Sequence, residues 1–182
     1  MGLRLVIEQD QDTQNPRGEF DHVGKTAFFH SRYAFGDKKQ EFSSPEEFVE
    51  WANTKEGKAA CILPVYMYDH SGVTIRTGSF QDPWDSGQLG WIYVKVEDRK
   101  KEKLSRKQAY KILEGEVKEL DSYLTGDVWG FMVKNEEDEV LESCCGFYGH
   151  DYCEEEGKSM LKYCEEHAKM ETRTSKVTVL AK

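Results

Sequence analysis

Three groups of residues in this chain have types and spacings that chemistry could use. Asp69-His70-Ser71-Gly72 sets an acid, an imidazole and a hydroxyl side by side. Adjacency is not a triad, because triads are assembled in space and neighbours in a tight turn point apart. No G-x-S-x-G elbow surrounds Ser71. The plain reading is a hairpin turn, with catalysis as the alternative. Asp82-Pro83-Trp84-Asp85-Ser86-Gly87-Gln88-Leu89-Gly90-Trp91 is denser, joining two carboxylates, two indoles and two glycines. Its carboxylates could hold a hard cation or serve as a general base. Equally, Asp82 could close an Asx-type turn, with Trp84 folded onto a sheet as a plug or turned towards a partner. Asp69, His70, Asp82 and Asp85 together define the option of a small metal-dependent hydrolase.

Cys144, Cys145, His150, Cys153, Cys164 and His167 form the third group. Zinc takes four Cys or His ligands, commonly as closely spaced pairs. Adjacent cysteines in a strand face opposite sides, so Cys144 and Cys145 do not easily share an ion. His150 with Cys153, and Cys164 with His167, keep the three-residue spacing that a helix would align. Reduced, buried cysteines with exposed histidines are the competing account. Neither G-x-x-x-x-G-K-[ST] nor G-x-G-x-x-G occurs, so no familiar phosphate cradle is present and no cofactor is expected.

These residues need elements to position them. Leu3 to Glu8 reads as a first strand. A polar loop around 9–24 follows, with Asn15, Pro16 and Gly18 as turn signals. Lys25 to Phe35 reads as an aromatic strand ending at Gly36-Asp37. Ser44-Pro45-Glu46-Glu47 opens a helix: Ser44 caps, Pro45 suits the first position, and Glu47 has capping-box spacing. Gly57 would end it. Cys61 to Tyr68 is a buried strand in which Pro64 signals an edge or bulge, and Val73 to Thr77 returns as its hairpin partner. Leu89 to Val96 is another strand.

Ala109, Ile112, Leu113, Val117, Leu120 and Leu124 recur at helical spacing across Ser105 to Leu124, and Gly126 is the stop. Val128 to Val133 and Val140 to Tyr148 flank an acidic turn at Asn135-Glu136-Glu137-Asp138. A helix over Asp151 to Met170 and a short strand over Val177 to Leu180 close the chain. Hairpins alternate with helices, without regular βαβ repeats. The expectation is α+β: a single domain over 1–182 with a mixed or mostly antiparallel sheet and about three helices on one face.

The chain has 182 residues, long enough for one domain with a real core. Its 9 Phe, 9 Tyr and 4 Trp exclude a disordered polyanion despite a net charge of -9. That charge disfavours nonspecific nucleic-acid binding and favours a partner with a basic surface. The five cysteines, odd in number, and the lack of an export signal imply reduced thiols and cytoplasmic residence. No apolar stretch is long enough to span a bilayer, so no membrane association is expected.

Charge is unevenly placed. Arg99, Lys100, Lys101, Lys103, Arg106 and Lys107 form a basic cluster, either a solvated surface or a possible nucleic-acid contact. Glu136, Glu137, Asp138, Glu139, Glu142, Asp151, Glu154, Glu155 and Glu156 follow with no Lys or Arg from first to last. The plain reading is a soluble face. The sharper reading is a partner-binding surface that imitates phosphate in a positively charged nucleic-acid channel.

The segments Leu63-Pro64-Val65-Tyr66-Met67-Tyr68-Asp69-His70-Ser71-Gly72 and Trp84-Asp85-Ser86-Gly87-Gln88-Leu89-Gly90-Trp91-Ile92-Tyr93-Val94 resemble a family of small phage and prophage proteins. Tyr123-Leu124-Thr125-Gly126-Asp127-Val128-Trp129-Gly130-Phe131 and Cys145-Gly146-Phe147-Tyr148-Gly149 add to the resemblance, which spans roughly 60–165. The family is the type II-A anti-CRISPR proteins, inhibitors of Cas9. The resemblance implies a non-enzymatic protein in the cytoplasm of an infected bacterium. It would bind Cas9 or its guide-RNA complex and prevent DNA binding or cleavage. It identifies no contact residues. Another phage counter-defence protein, an antirestriction factor or a nucleotide sponge, is the alternative, beside the hydrolase.

Overall fold

A computed structural model describes residues 2–54 and 59–180, with backbone alone past 170. The chain is α+β and divides into two compact units, Met1–Thr13 with Asp127–Lys182, and Gln14–Gly126.

The larger unit is built on a four-stranded antiparallel sheet. In chain order its elements are α1 (Pro16–Glu19), β2 (Lys25–Phe28), α2 (Pro45–Ala52), β3 (Ala59–Asp69), β4 (Val73–Arg76), β5 (Ser86–Lys95), α3 (Val96–Lys101) and α4 (Arg106–Thr125). The strand order is β2-β5-β3-β4. Alternation along β5, reset at Leu89 by the register shift against Val65/Tyr66, splits the core. Leu89, Ile92 and Val94 meet Ala109, Leu113, Val117 and Leu120 of α4 on one face. Tyr93 and Trp91 meet Phe42, Phe48 and Trp51 on the other. Burying a Leu or Phe side chain contributes roughly 1.5–3 kcal/mol, so both faces supply real stabilisation. Helices therefore cover both faces of this sheet, where the sequence suggests one.

Local signals explain most element ends. Ser44 Oγ accepts the Glu47 N–H at 3.2 Å, while the Glu47 carboxylate accepts from the Ser43 N–H at 2.6 Å, one residue beyond a standard capping box. Gly57 lies outside the described residues, and α2 ends at Ala52 with Asn53 as its cap. Ser105 and Gln108 close a full capping box on α4, and Gly126 ends it at φ 73°, a left-handed position that favours glycine. Pro64 pairs only with Trp91 of β5, because β4 covers β3 only from Tyr66 to Asp69, and the β3–β5 register shifts at Val65/Tyr66. The edge and bulge signals of Pro64 are thus both realised.

The smaller unit is a three-stranded antiparallel sheet, ordered β1-β6-β7. It comprises β1 (Arg4–Gln9), β6 (Val128–Lys134), β7 (Val140–Tyr148) and the long α5 (His150–Leu180). Gly157 of α5 lies against Leu5 and Phe131.

Several expectations need correction. Five helices are present among the described residues, where the sequence suggests about three, because short α1 and α3 fall in segments read as loop. The sheet is two separate antiparallel sheets. Val177 to Leu180 is the last turn of α5, continuing the preceding helix instead of pairing as a strand. Lys25 to Phe35 is a strand only to Phe28. Asp37 ends β2 early: Thr26 N donates to Asp37 Oδ2 at 2.7 Å and Asp37 N donates to Thr26 Oγ1 at 2.8 Å, so this segment returns across the edge of its own strand. Among the described residues no helix is long and apolar enough to cross a membrane.

Candidate functional site

The fold brings together the two motifs that carry acid and imidazole. Asp69 ends β3 and His70 follows it, while Asp85 precedes β5, the strand that pairs with β3. Asp69 N donates to Asp85 O at 2.8 Å, and His70 Nδ1 lies 2.9 Å from Asp85 Oδ2. Asp69 is itself held by Arg32 Nη2 at 2.5 Å and by the Tyr33 hydroxyl at 3.3 Å. This is a carboxylate–imidazole pair with an exposed ring, the arrangement that fixes a histidine tautomer.

Asp82 does different work. Its Oδ1 accepts from Trp84 N at 2.8 Å and Asp85 N at 3.2 Å, and the Ser86 hydroxyl donates to its carbonyl. The two N–H bonds hold its carboxyl below the usual range. The Asx-type turn expected here is present. The plug is not: Trp84 is 91% exposed. The carboxylate closes the turn, and the indole is left in solvent.

The acidic run does not form one surface. Asn135 closes the β6–β7 turn, with its amide donating to Glu139 Oε2 at 2.8 Å and its Oδ1 accepting the Glu139 N–H at 2.9 Å. Glu136 accepts from the backbone of Gly2, and Asp138 is paired with Arg4 and lies 3.7 Å from Lys134. Glu137 and Glu142 are exposed. Glu154 pairs with Lys158 at 2.9 Å, which holds its carboxyl low, and Glu155 and Glu156 are exposed. Gly157 sits over Phe131, so Glu154 to Glu156 lie beside mid-sheet. The turn at Asn135 is four strand residues, roughly 13 Å, further along β6. Arg4, distant in sequence, and Lys134, at the end of β6, partly neutralise the turn.

The basic cluster is gathered at the corner between α3 and α4. Lys100, Lys101, Lys103, Arg106 and Lys107 are exposed there, and Lys103 takes φ 54° at the turn. Arg99 is half-buried and donates to Leu104 O at 2.5 Å, so it serves the corner rather than the surface.

The cysteine–histidine group does not converge. Among the described residues no three His, Cys, Asp or Glu side chains are placed to hold a metal ion. His150 stands edge-on to Trp129 at 4.7 Å, and His167 packs on Tyr163 at 4.2 Å. Cys153 is fully buried, which pushes its thiol up.

One feature escapes a reading of motifs. The segment after β2 folds over a cavity of about 590 Å³ whose lining includes Asn15, His30, Tyr33, Phe35 and Lys38. His30 stacks on Tyr33 at 5.0 Å, and Asn15 Nδ2 donates to Phe35 O at 3.0 Å. That volume is in the range of small-molecule sites. The aromatic run that builds it resembles a strand, which hides it in the sequence.

The chain matches no family model, no curated protein and no solved structure.

Proposed function

We propose that this protein acts by stoichiometric binding, as an inhibitor of Cas9 or of the Cas9–guide RNA complex that prevents DNA binding or cleavage. The observation that supports this reading is the Asn135-closed turn, which presents Glu137 from a fixed scaffold, with Glu142 exposed on the following strand β7. Cas9 holds its guide–target duplex in a positively charged channel, and rigidly displayed carboxylates are suited to compete there. The identity of the target comes from the resemblance of the Tyr68-Asp69-His70-Ser71-Gly72 and Trp84-Asp85-Ser86-Gly87-Gln88 segments. The exposed Lys100, Lys101, Lys103, Arg106 and Lys107 offer a second, nucleic-acid contact.

The test is a Cas9 cleavage assay with the protein added before or after guide RNA and DNA. Inhibition saturating at one equivalent supports the reading, and its order dependence identifies the blocked step. Reversing Glu137 and Glu142 to Lys should weaken inhibition while leaving the melting temperature unchanged. Full cleavage at tenfold excess of folded wild type overturns the reading.

The 2.9 Å contact between His70 and Asp85 favours a second reading, a small hydrolase using His70 as base. Turnover of ester or phosphodiester substrates by substoichiometric protein, abolished in His70→Gln, would support it over binding.

A further inference from the structure

Trp84 is the most exposed large apolar side chain among the described residues, at 91%. A lone exposed apolar residue is ordinary on a protein surface, but this one stands on a segment fastened from several directions. Asp82 Oδ1 ties down the backbone N–H groups of Trp84 and Asp85, and the Ser86 hydroxyl closes onto the Asp82 carbonyl. Asp85 is fastened to the β3–β4 turn through its carbonyl, which takes the Asp69 N–H, and its carboxylate, which meets His70. The ordering entropy of a loop is therefore already met before anything binds, the condition under which an exposed aromatic yields the most affinity. Tyr68, which pairs with Ser86 at the end of this turn, contacts both His70 and Phe80, with ring centroids 6.1 and 5.6 Å apart.

The chemistry around the indole selects its partner. Asp82 and Asp85 flank Trp84 in sequence, and the first is held ionised by its N–H bonds. Arg76 faces the same neighbourhood, but its guanidinium donates to the carbonyls of Gly78 and Ser79 and lies 4.0 Å over the Phe80 ring. Arg32 is taken by Asp69. Carboxylates beside an open indole repel phosphate and attract a cation, and tryptophan is the best aromatic face for a guanidinium or ammonium group.

We infer that the Asp82–Ser86 turn is a docking site for a basic segment of a partner protein, which lays an arginine or lysine side chain against the Trp84 indole and pairs it with the flanking carboxylates. The inference rests on the reading that this chain works by binding, and it names a surface that the acidic turn does not include.

The experiment uses the full chain as wild type, Trp84→Ala and Trp84→Phe. Fluorescence polarisation is measured with a labelled peptide alternating arginine and leucine, its glutamate-for-arginine counterpart, and labelled single-stranded oligothymidine. Cas9 inhibition is measured in parallel. The expected result is Trp84-dependent binding of the arginine peptide alone, weakened about tenfold or more by Trp84→Ala and partly restored in Trp84→Phe, with unchanged melting temperatures. Equal binding by wild type and Trp84→Ala overturns the inference, as does no binding of the arginine peptide or Trp84-dependent binding of the oligothymidine. Trp84-dependent peptide binding without Cas9 inhibition leaves the surface standing and removes Cas9. Inhibition unchanged by Trp84→Ala, with no Trp84-dependent peptide binding, does the reverse.

Discussion

Arg17 and Glu116, 99 residues apart, form a buried ion pair in which Arg17 Nη1 lies 2.9 Å from Glu116 Oε2. Arg17 also donates to Asp37 Oδ1 at 2.8 Å and to Gly24 O at 2.7 Å. Glu116 Oε1 accepts from Val23 N at 3.0 Å and Gly24 N at 3.1 Å. One guanidinium and one carboxylate thus fasten the irregular segment before β2 onto α4.

Removing Arg17 should strand Glu116, whereas Arg17 keeps Asp37 as an ion-pair partner when Glu116 is removed. Breaking a buried pair leaves an uncompensated charge and costs about 3–5 kcal/mol. Arg17→Ala is expected to lose that much in chemical denaturation, and Glu116→Ala less, because Asp37 still compensates the guanidinium. A loss below about 1 kcal/mol would mean the pair is solvated in solution.

His22 Nε2 lies 2.9 Å from Glu119 Oε2, and this hydrogen bond holds the imidazole pKa above 6.5 despite partial burial. A raised folded pKa gives stability that is fully present below the unfolded value and lost as pH rises through the folded one. The stability advantage of wild type over His22→Gln should therefore be greatest near pH 5.5, on the order of 1 kcal/mol, and shrink towards about pH 8. Urea titrations across that range would show it, and an advantage that grows with pH contradicts the pairing.

Gly90 takes φ 153°, and a Cβ there would lie 2.0 Å from the Ala27 carbonyl oxygen. Because Gly90 pairs with Phe28, the substitution pushes β2 off β5. Gly90→Ala should cost on the order of 3 kcal/mol in thermal unfolding and selectively reduce hydrogen-exchange protection over Lys25 to Phe28.

Thiol reactivity should follow burial. Cys61 and Cys153 are 2% and 0% exposed, and burial pushes both thiols up, whereas Cys144 and Cys145 are exposed. Brief maleimide treatment of the native protein should modify Cys144 and Cys145 and spare Cys61 and Cys153 until denaturant is added. Peptide mass mapping reads this directly, and early labelling of Cys153 would show that α5 leaves its sheet.

The sequence alone determined what depends on near neighbours. The apolar spacing from Ala109 to Leu124, with Ser105 before it and Gly126 after, specifies α4 because caps and helical periodicity act within a few residues. The β6–β7 hairpin, the Ser44 cap and the Pro64 edge are legible for the same reason. Tertiary structure alone decided what depends on distant partners. The run from Phe28 to Phe35 has strand composition, yet Asp37 and Asn15 fold it over a cavity. The acidic run from Glu136 to Glu156 looks continuous, but a strand and a helix advance at different rates per residue and double back, so its ends separate. Asp82 can be read as a turn-former, while the fate of Trp84 cannot. Whether an indole is buried depends on what the rest of the chain places above it, and here nothing covers more than a tenth of it.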